Sequence, residues 1–111
     1  MIICSYIRMY GGAKVVPFEE LADLYKMLAD PTRLRLLWRL RSGGMRVGEC
    51  CCDLGVTPSA VSHQLNKLKA ARLVREERRG RERIYHLCDH HVELLLDMGV
   101  AHVLEEKNVS A

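Results

Sequence analysis

The sequence predicts a mainly α fold with a small β-hairpin, in which a helix-turn-helix is followed at once by a basic hairpin. Three observations predict it. Two helix starts share one grammar, a capping residue followed by proline, at Asp30-Pro31 and Thr57-Pro58. A stretch from Leu73 to Leu87 reads as two short strands around Arg79-Gly80-Arg81. A last stretch, from about His90 to Glu106, has no proline and repeats leucine and valine at helical intervals behind Asp89, which stands at the N-cap. Together these give the winged helix-turn-helix layout, with terminal helices available to join two chains.

At 111 residues the chain suits one domain with a small core, to which pairing with a second copy would add burial. Residues 1–16 have no clear period and contain Gly11-Gly12, so they read as a flexible arm. Residues 17–107 read as the folded domain and residues 108–111 as a short tail. No apolar run approaches the ~18 residues that span a bilayer. Arg8 interrupts the mildly apolar start, so neither a transmembrane helix nor a signal peptide is expected, and the chain is placed in the cytoplasm. Five cysteines, three of them adjacent at Cys50, Cys51 and Cys52, do not form a secreted disulfide framework; free thiols or ligands are expected.

The elements follow in order. From Pro17, Leu21, Leu24 and Leu28 share one face of a first helix whose opening turn is acidic. Asp30-Pro31 opens a second helix that runs to about Arg41, where Ser42-Gly43-Gly44 ends it. Leu34, Leu37, Trp38 and Leu40 are expected to supply its buried side. Residues 47–54 form a short third helix, and Gly55-Val56 makes the turn out of it. Thr57-Pro58 opens the fourth, on which Val61, Leu65 and Leu68 fall on one face and pack inward. Ser59, Ser62, His63 and Asn66, with Lys67 to one side, are left pointing away. Strands over 73–78 and 82–87 then make a hairpin whose tip is crowded by Arg78, Arg79, Arg81 and Arg83.

The net charge of +3 hides a division along the chain. Residues 58–88 carry eight Lys or Arg against three acids, whereas residues 89–111 carry one against five. A local basic surplus on a polar helix and its hairpin suits a polyanion, one element entering the major groove and the other meeting the flanking backbone or minor groove. The acidic end suits a cation.

That end carries two pairs of ligand-type residues. His91 and His102 are eleven residues apart, which returns them to nearly the same face roughly 16 Å from each other along the axis. One ion cannot touch both, because zinc bonds to nitrogen and oxygen are about 2.0 to 2.2 Å. A four-ligand site therefore needs Asp89 and His91 of one chain to meet His102 and Glu105 of another. Two antiparallel copies of the helix would do so twice. The plainer alternative is a set of polar residues on an exposed helix face.

At this point the residues resemble a known family, the ArsR/SmtB winged-helix repressors that sense metals in bacteria. The resemblance covers roughly Leu21 to Glu105. It rests on Leu28-Ala-Asp-Pro-Thr-Arg-Leu-Arg-Leu-Leu37, on Ser59-Ala-Val-Ser-His-Gln-Leu65, on the hairpin ending Tyr85-His-Leu, and on Asp89-His-His91 with His102 and Glu105. The last set is similar to that of the zinc-sensing subgroup, whose members bind metal between the C-terminal helices of a dimer. The resemblance implies a homodimeric repressor that binds double-stranded operator DNA without metal and releases it on binding Zn(II), or Ni(II) or Co(II). On that reading Ser59, Ser62, His63 and Gln64 meet base edges or nearby backbone, Lys67 meets phosphate, and Arg79 and Arg81 meet the flanks. It further implies that His102 passes a hydrogen bond to backbone near Arg72, at the end of the reading helix.

A second family site, for softer metals, uses a Cys-x-Cys pair near the third helix. Counted back without gaps, that pair falls at Arg46 and Gly48, so Cys50 and Cys51 are expected to pack in the core instead. Cys52, at a position that can face out, is left open between packing and serving as a thiolate. Cys88, beside Asp89, is read as packing at a strand end, with a substitute ligand as the alternative. A repressor triggered by thiol oxidation or arsenite at Cys50, Cys51 and Cys52 stays as the alternative. No enzyme is expected, because four protein ligands close a tetrahedral site and no nucleophile-and-base set appears.

Overall fold

The computed structural model describes residues 15–109, with the side chains of Asp53 and of residues 106–109 left aside. Most of the arm expected over residues 1–16, with Cys4 and Met9, lies outside the described residues. The elements are α1 (Phe18–Leu28), α2 (Pro31–Leu40), α3 (Val47–Leu54), α4 (Pro58–Ala70), β1 (Val74–Arg79), β2 (Glu82–Leu87) and α5 (His90–Val109).

Local chemistry sets each start. The Asp30 carboxylate accepts from the Arg33 backbone N–H at 3.0 Å, and Thr57 Oγ1 accepts from that of Ala60 at 3.2 Å. Both caps precede a proline whose missing N–H costs the helix nothing there. The Glu49 carboxylate reaches back to the Arg46 backbone N–H at 3.1 Å, fixing the start of the short α3. Asp89 Oδ1 accepts from the backbone N–H groups of His91 and Val92, so α5 is capped where its sequence said it would be.

Every element packs a face against one core; α1 does so through half-buried Leu24, Met27 and Leu28, and the others contribute buried residues. Leu36, Leu37 and Leu40 of α2, Cys50 of α3, and Val61, Leu65 and Leu68 of α4 meet Leu73, Val74 and Tyr85 of the hairpin and Val92 and Leu96 of α5. The side expected for α2 is corrected in part. Leu34 and Trp38 are 39% and 43% exposed, and Leu36 is buried in their stead. Their apolar surface faces a groove of about 560 Å³ between α2 and α5, lined also by Leu95, Val100, Val103 and Leu104. An amphipathic helix with two apolar sides can turn only one of them to its own core.

β1 and β2 pair antiparallel from Val74↔Leu87 to Arg79↔Glu82. The turn is the two residues Gly80-Arg81, and Gly80 takes φ 61° as such a tight turn requires. The strand therefore includes Arg79, one residue beyond the expected 73–78. Met45 adds an isolated bridge, exchanging both backbone hydrogen bonds with Tyr85 at 2.9 and 2.8 Å. A side chain at Gly44 beside it would force its neighbours to shift, since a Cβ there would lie 2.4 Å from His86 Cε1 and 2.8 Å from Ile84 Cγ2. α5 continues to Val109, beyond the expected Glu106 and into the segment read as tail.

The end of α4 fixes the angle between α4 and the hairpin. The Arg72 N–H bonds Lys69 O at 3.1 Å and the Leu73 N–H bonds Leu68 O at 2.9 Å, the paired bonds of a Schellman cap. The Cys88 N–H then bonds Leu73 O at 2.9 Å, tying the cap to the end of β2. The cap needs a left-handed residue, and an arginine supplies it, Arg72 at φ 61°. Left-handed backbone costs a side-chain-bearing residue about 1 to 2 kcal/mol, against a smaller gain from the stiffer unfolded chain. Arg72→Gly is expected to raise stability by up to about 1 kcal/mol; chemical denaturation checks it, and a lower midpoint with unchanged slope would refute it.

Candidate nucleic-acid interface and metal centre

The buried stripe of α4 dictates its opposite face. With Val61, Leu65 and Leu68 buried, Ser59, His63, Asn66 and Lys67 are exposed, while Ser62 and Gln64 are half-buried at the two edges of the stripe. Ser59 lies in the first turn, its Oγ 3.4 Å from the capping Thr57 Oγ1. Gln64 is already engaged: Arg33 Nε of α2 donates to its Oε1 at 3.0 Å. Arg33 is thus a member of this surface that helix periodicity gave no reason to place there.

A second basic group stands on the hairpin. Arg79 and Arg81 are exposed at its tip; Arg79 Nε donates to Glu77 Oε2 at 3.0 Å, whereas Arg81 has no ion pair among the described residues. Glu77 also meets His86 Nε2 at 2.7 Å. The His86 hydrogen bond, with that from Arg79, holds the Glu77 carboxyl below the usual carboxylate range. One position earlier, Glu76 collects two hydrogen-bond donors and one further ion-pair partner. Lys69 Nζ of α4 reaches Oε2 at 3.3 Å, the Tyr85 hydroxyl donates to Oε1 at 3.2 Å, and Arg83 Nε lies 3.6 Å from Oε1. With its side chain only 16% exposed, Glu76 joins the last turn of α4 to both strands. The Lys69 contact, against the opposing cost of desolvation, lowers its pKa; burial and the nearby Glu76 charge raise that of Tyr85.

The ligand-type residues sit as two separate pairs. Asp89 and His91 stand at the start of α5, with His91 Nδ1 3.5 Å from Asp89 Oδ1. His102 and Glu105 lie three turns further on, and all four are exposed. Among the described residues no three His, Cys, Asp or Glu side chains converge within one chain. The donor set fits a divalent ion only if a second chain brings the complementary pair.

Between the two pairs, Asp97 fastens α5 to the end of α2. Arg41 donates to both of its carboxylate oxygens, from Nη2 at 2.9 Å and from Nε at 2.5 Å, while the Arg41 guanidinium carbon stands 4.9 Å from the centre of the Trp38 ring. The Arg41 hydrogen bonds hold the Asp97 carboxyl below its ordinary range. This clamp borders the apolar groove.

The cysteines divide as their register implies. Cys50 is buried in the core, Cys51 is half-buried and packed against it, and Cys52 is exposed. Cys88 is half-buried against the same core. No helix among the described residues is long and apolar enough to cross a membrane.

Lowered carboxyl pKa values make the fold acid-sensitive. Glu76, Glu77 and Asp97 each add stability that is fully present above the unfolded carboxyl pKa of about 4 and lost as pH falls through the lower folded value. Thermal midpoints are expected to drop on the acid side of that value. Glu76→Gln and Asp97→Asn should each make the acid drop shallower, and an identical drop in both variants would refute the assignment.

A family model described as "Bacterial regulatory protein, arsR family" matches residues 30–76, from the cap of α2 into β1. The HTH-type transcriptional regulator NmtR of Mycobacterium tuberculosis is 41% identical over 83 residues, which span 75% of this chain and 69% of that relative. Among solved structures, the AntR antimony-specific transcriptional repressor is similar at TM-score 0.71 and 38% identity, over 81% of this chain and 82% of the other. The homodimeric winged helix-turn-helix DNA-binding domain Mb0332 of Mycobacterium bovis is similar at TM-score 0.73 and 28% identity, over 80% and 82%. A family model over residues 30–76 and a relative 41% identical over 69% of its own length mean that the chain belongs to the ArsR family of bacterial regulatory proteins, DNA-binding transcriptional regulators and not enzymes.

Proposed function

We propose that the protein is a homodimeric repressor that holds palindromic operator DNA in its metal-free form and releases it when Zn(II), or Ni(II) or Co(II), is bound between the C-terminal helices of the two copies. The observation that carries this reading is the spacing on α5: two exposed ligand pairs, Asp89 with His91 and His102 with Glu105, too far apart to share an ion within one chain. The apolar groove beside the same helix supports pairing with a second copy, and the Mb0332 neighbour is homodimeric. Since its target is the bacterial operator, the site of action is the cytoplasm.

Each residue then has a task. Asp89 caps α5 through Oδ1 and keeps Oδ2 for a ligand bond. His91, close to Asp89, supplies imidazole nitrogen, and His102 and Glu105 of the other copy complete a set of two nitrogens and two carboxylates. Such a set suits Zn(II) in tetrahedral geometry, and Ni(II) or Co(II) where further ligands expand it. His102 has a second ring nitrogen, which on this reading donates to backbone near Arg72, where the strained cap joins reading helix and hairpin. Only a difference in affinity between the two dimer arrangements moves the equilibrium, so the bound ion must favour the one that cannot grip DNA.

On the DNA side, Ser59, Ser62, His63 and Gln64 meet base edges or adjacent backbone, Lys67 meets phosphate, and Arg79 and Arg81 meet the flanks. Two copies place their reading helices about one helical turn apart. A second reading, release triggered by arsenite or thiol oxidation at Cys50, Cys51 and Cys52, is favoured by the likeness to an antimony-specific repressor. The burial of Cys50 disfavours it.

Two measurements test the proposal. His102→Ala is expected to keep metal-free DNA affinity within about three-fold while abolishing release by Zn(II), as fluorescence anisotropy on operator duplex would report; loss of metal-free binding would contradict it, and release that persists in His102→Ala but disappears in Cys50→Ala/Cys51→Ala/Cys52→Ala would transfer the trigger to the thiols. Metal-free binding should also weaken steeply with salt, log K falling by about 0.9 for each phosphate contact per unit log salt. A flat salt dependence would remove the phosphate contacts from the account.

A further inference from the structure

We infer that Arg33, outside the reading helix, is a specificity-determining residue that fixes the orientation of the Gln64 amide; the inference rests on the reading of Gln64 as a DNA contact. The backbone of Arg33 is itself fixed, because its N–H is the one that Asp30 caps. From there its side chain crosses to α4 and donates Nε–H to Gln64 Oε1 at 3.0 Å.

Chemistry makes the orientation unambiguous. Arginine has donors and no acceptor, so the amide atom facing Nε must be the carbonyl oxygen. Flipping the amide would set N–H against N–H and forfeit a charge-assisted hydrogen bond. Both N–H donors of Gln64 Nε2 are therefore directed elsewhere. At 100° per residue Gln64 falls between buried Leu68 and exposed Lys67, at the margin of the exposed face. The major groove offers acceptors to such a donor at guanine N7 and O6, adenine N7 and thymine O4. With Arg33 in place, Gln64 presents N–H at one fixed point; without it the amide is free to present either end, and discrimination at that base pair relaxes.

Selection of bound sequences from a random duplex pool tests this with the full chain. The wild type should return a palindromic motif. Arg33→Met, which keeps the stem and removes the donors, should return a motif degraded at one symmetric pair of positions, with several-fold weaker binding to the wild-type motif. Gln64→Glu keeps a partner for Arg33 and removes both N–H donors, so it should alter the same pair of positions. The double variant should do no further damage there. Gln64→Glu also keeps the inference open to refutation should Arg33→Met fail to fold. Three results would overturn it: an unchanged motif, changes at different positions in the two variants, or uniform weakening on every sequence, which would make Arg33 a phosphate contact. A wild type that selects no motif would overturn the reading of the DNA face and this inference with it.

Discussion

An α-helix rises 1.5 Å per residue, and that number governs the whole molecule. Eleven residues separate His91 from His102 on α5, so the two ligand pairs stand apart by several times any metal–ligand bond, and no side-chain rotation closes the gap. A site made from both pairs can exist only where two chains meet. Its geometry would then report how the chains are arranged, which is the quantity a dimeric DNA reader must control. The same helix carries the apolar edge of the groove and, through Asp97, the clamp on Arg41 at the end of α2. A change in the pose of α5 therefore pulls on the body that holds the reading helix.

The reading head itself is held by a few long-range polar contacts set on an apolar core. Glu76 joins α4 to both strands through Lys69, Tyr85 and Arg83. Arg33 joins α2 to the middle of α4. The left-handed Arg72 turns the chain from reading helix into hairpin, and the Cys88 bond to Leu73 closes that corner. The Lys69 bond to Glu76 and the Cys88 bond to Leu73 leave α4 and the hairpin little freedom relative to each other.

Local signals were legible in the sequence because their physics is local. Asp30-Pro31, Thr57-Pro58 and Asp89 name their own helix starts, and each cap hydrogen bond spans three residues or fewer. The hairpin was legible to within one residue, the difference arising because Gly80-Arg81 makes a two-residue turn. Periodicity misled at Leu34 and Trp38, since it marks a side as apolar without saying whether its own core or another surface will cover it. Arg33 with Gln64 and Arg41 with Asp97 are separated by 31 and 56 residues, and no short-range pattern links them. The assignment of Asp89, His91, His102 and Glu105 to a metal, and of α4 to DNA bases, rests on residue chemistry and resemblance, with the fold supplying their exposure.

Subunit mixing tests the central claim most directly. A variant carrying Asp89→Ala and His91→Ala, and another carrying His102→Ala and Glu105→Ala, each lose both sites of their homodimer. Mixed and re-equilibrated, they form heterodimers in which one site is whole, built from His102 and Glu105 of the first and Asp89 and His91 of the second. The account predicts that neither variant alone gives the absorption bands of tetrahedral Co(II), and that the mixture does, at one ion per heterodimer. Tight binding by either variant alone, or none by the mixture, would contradict it.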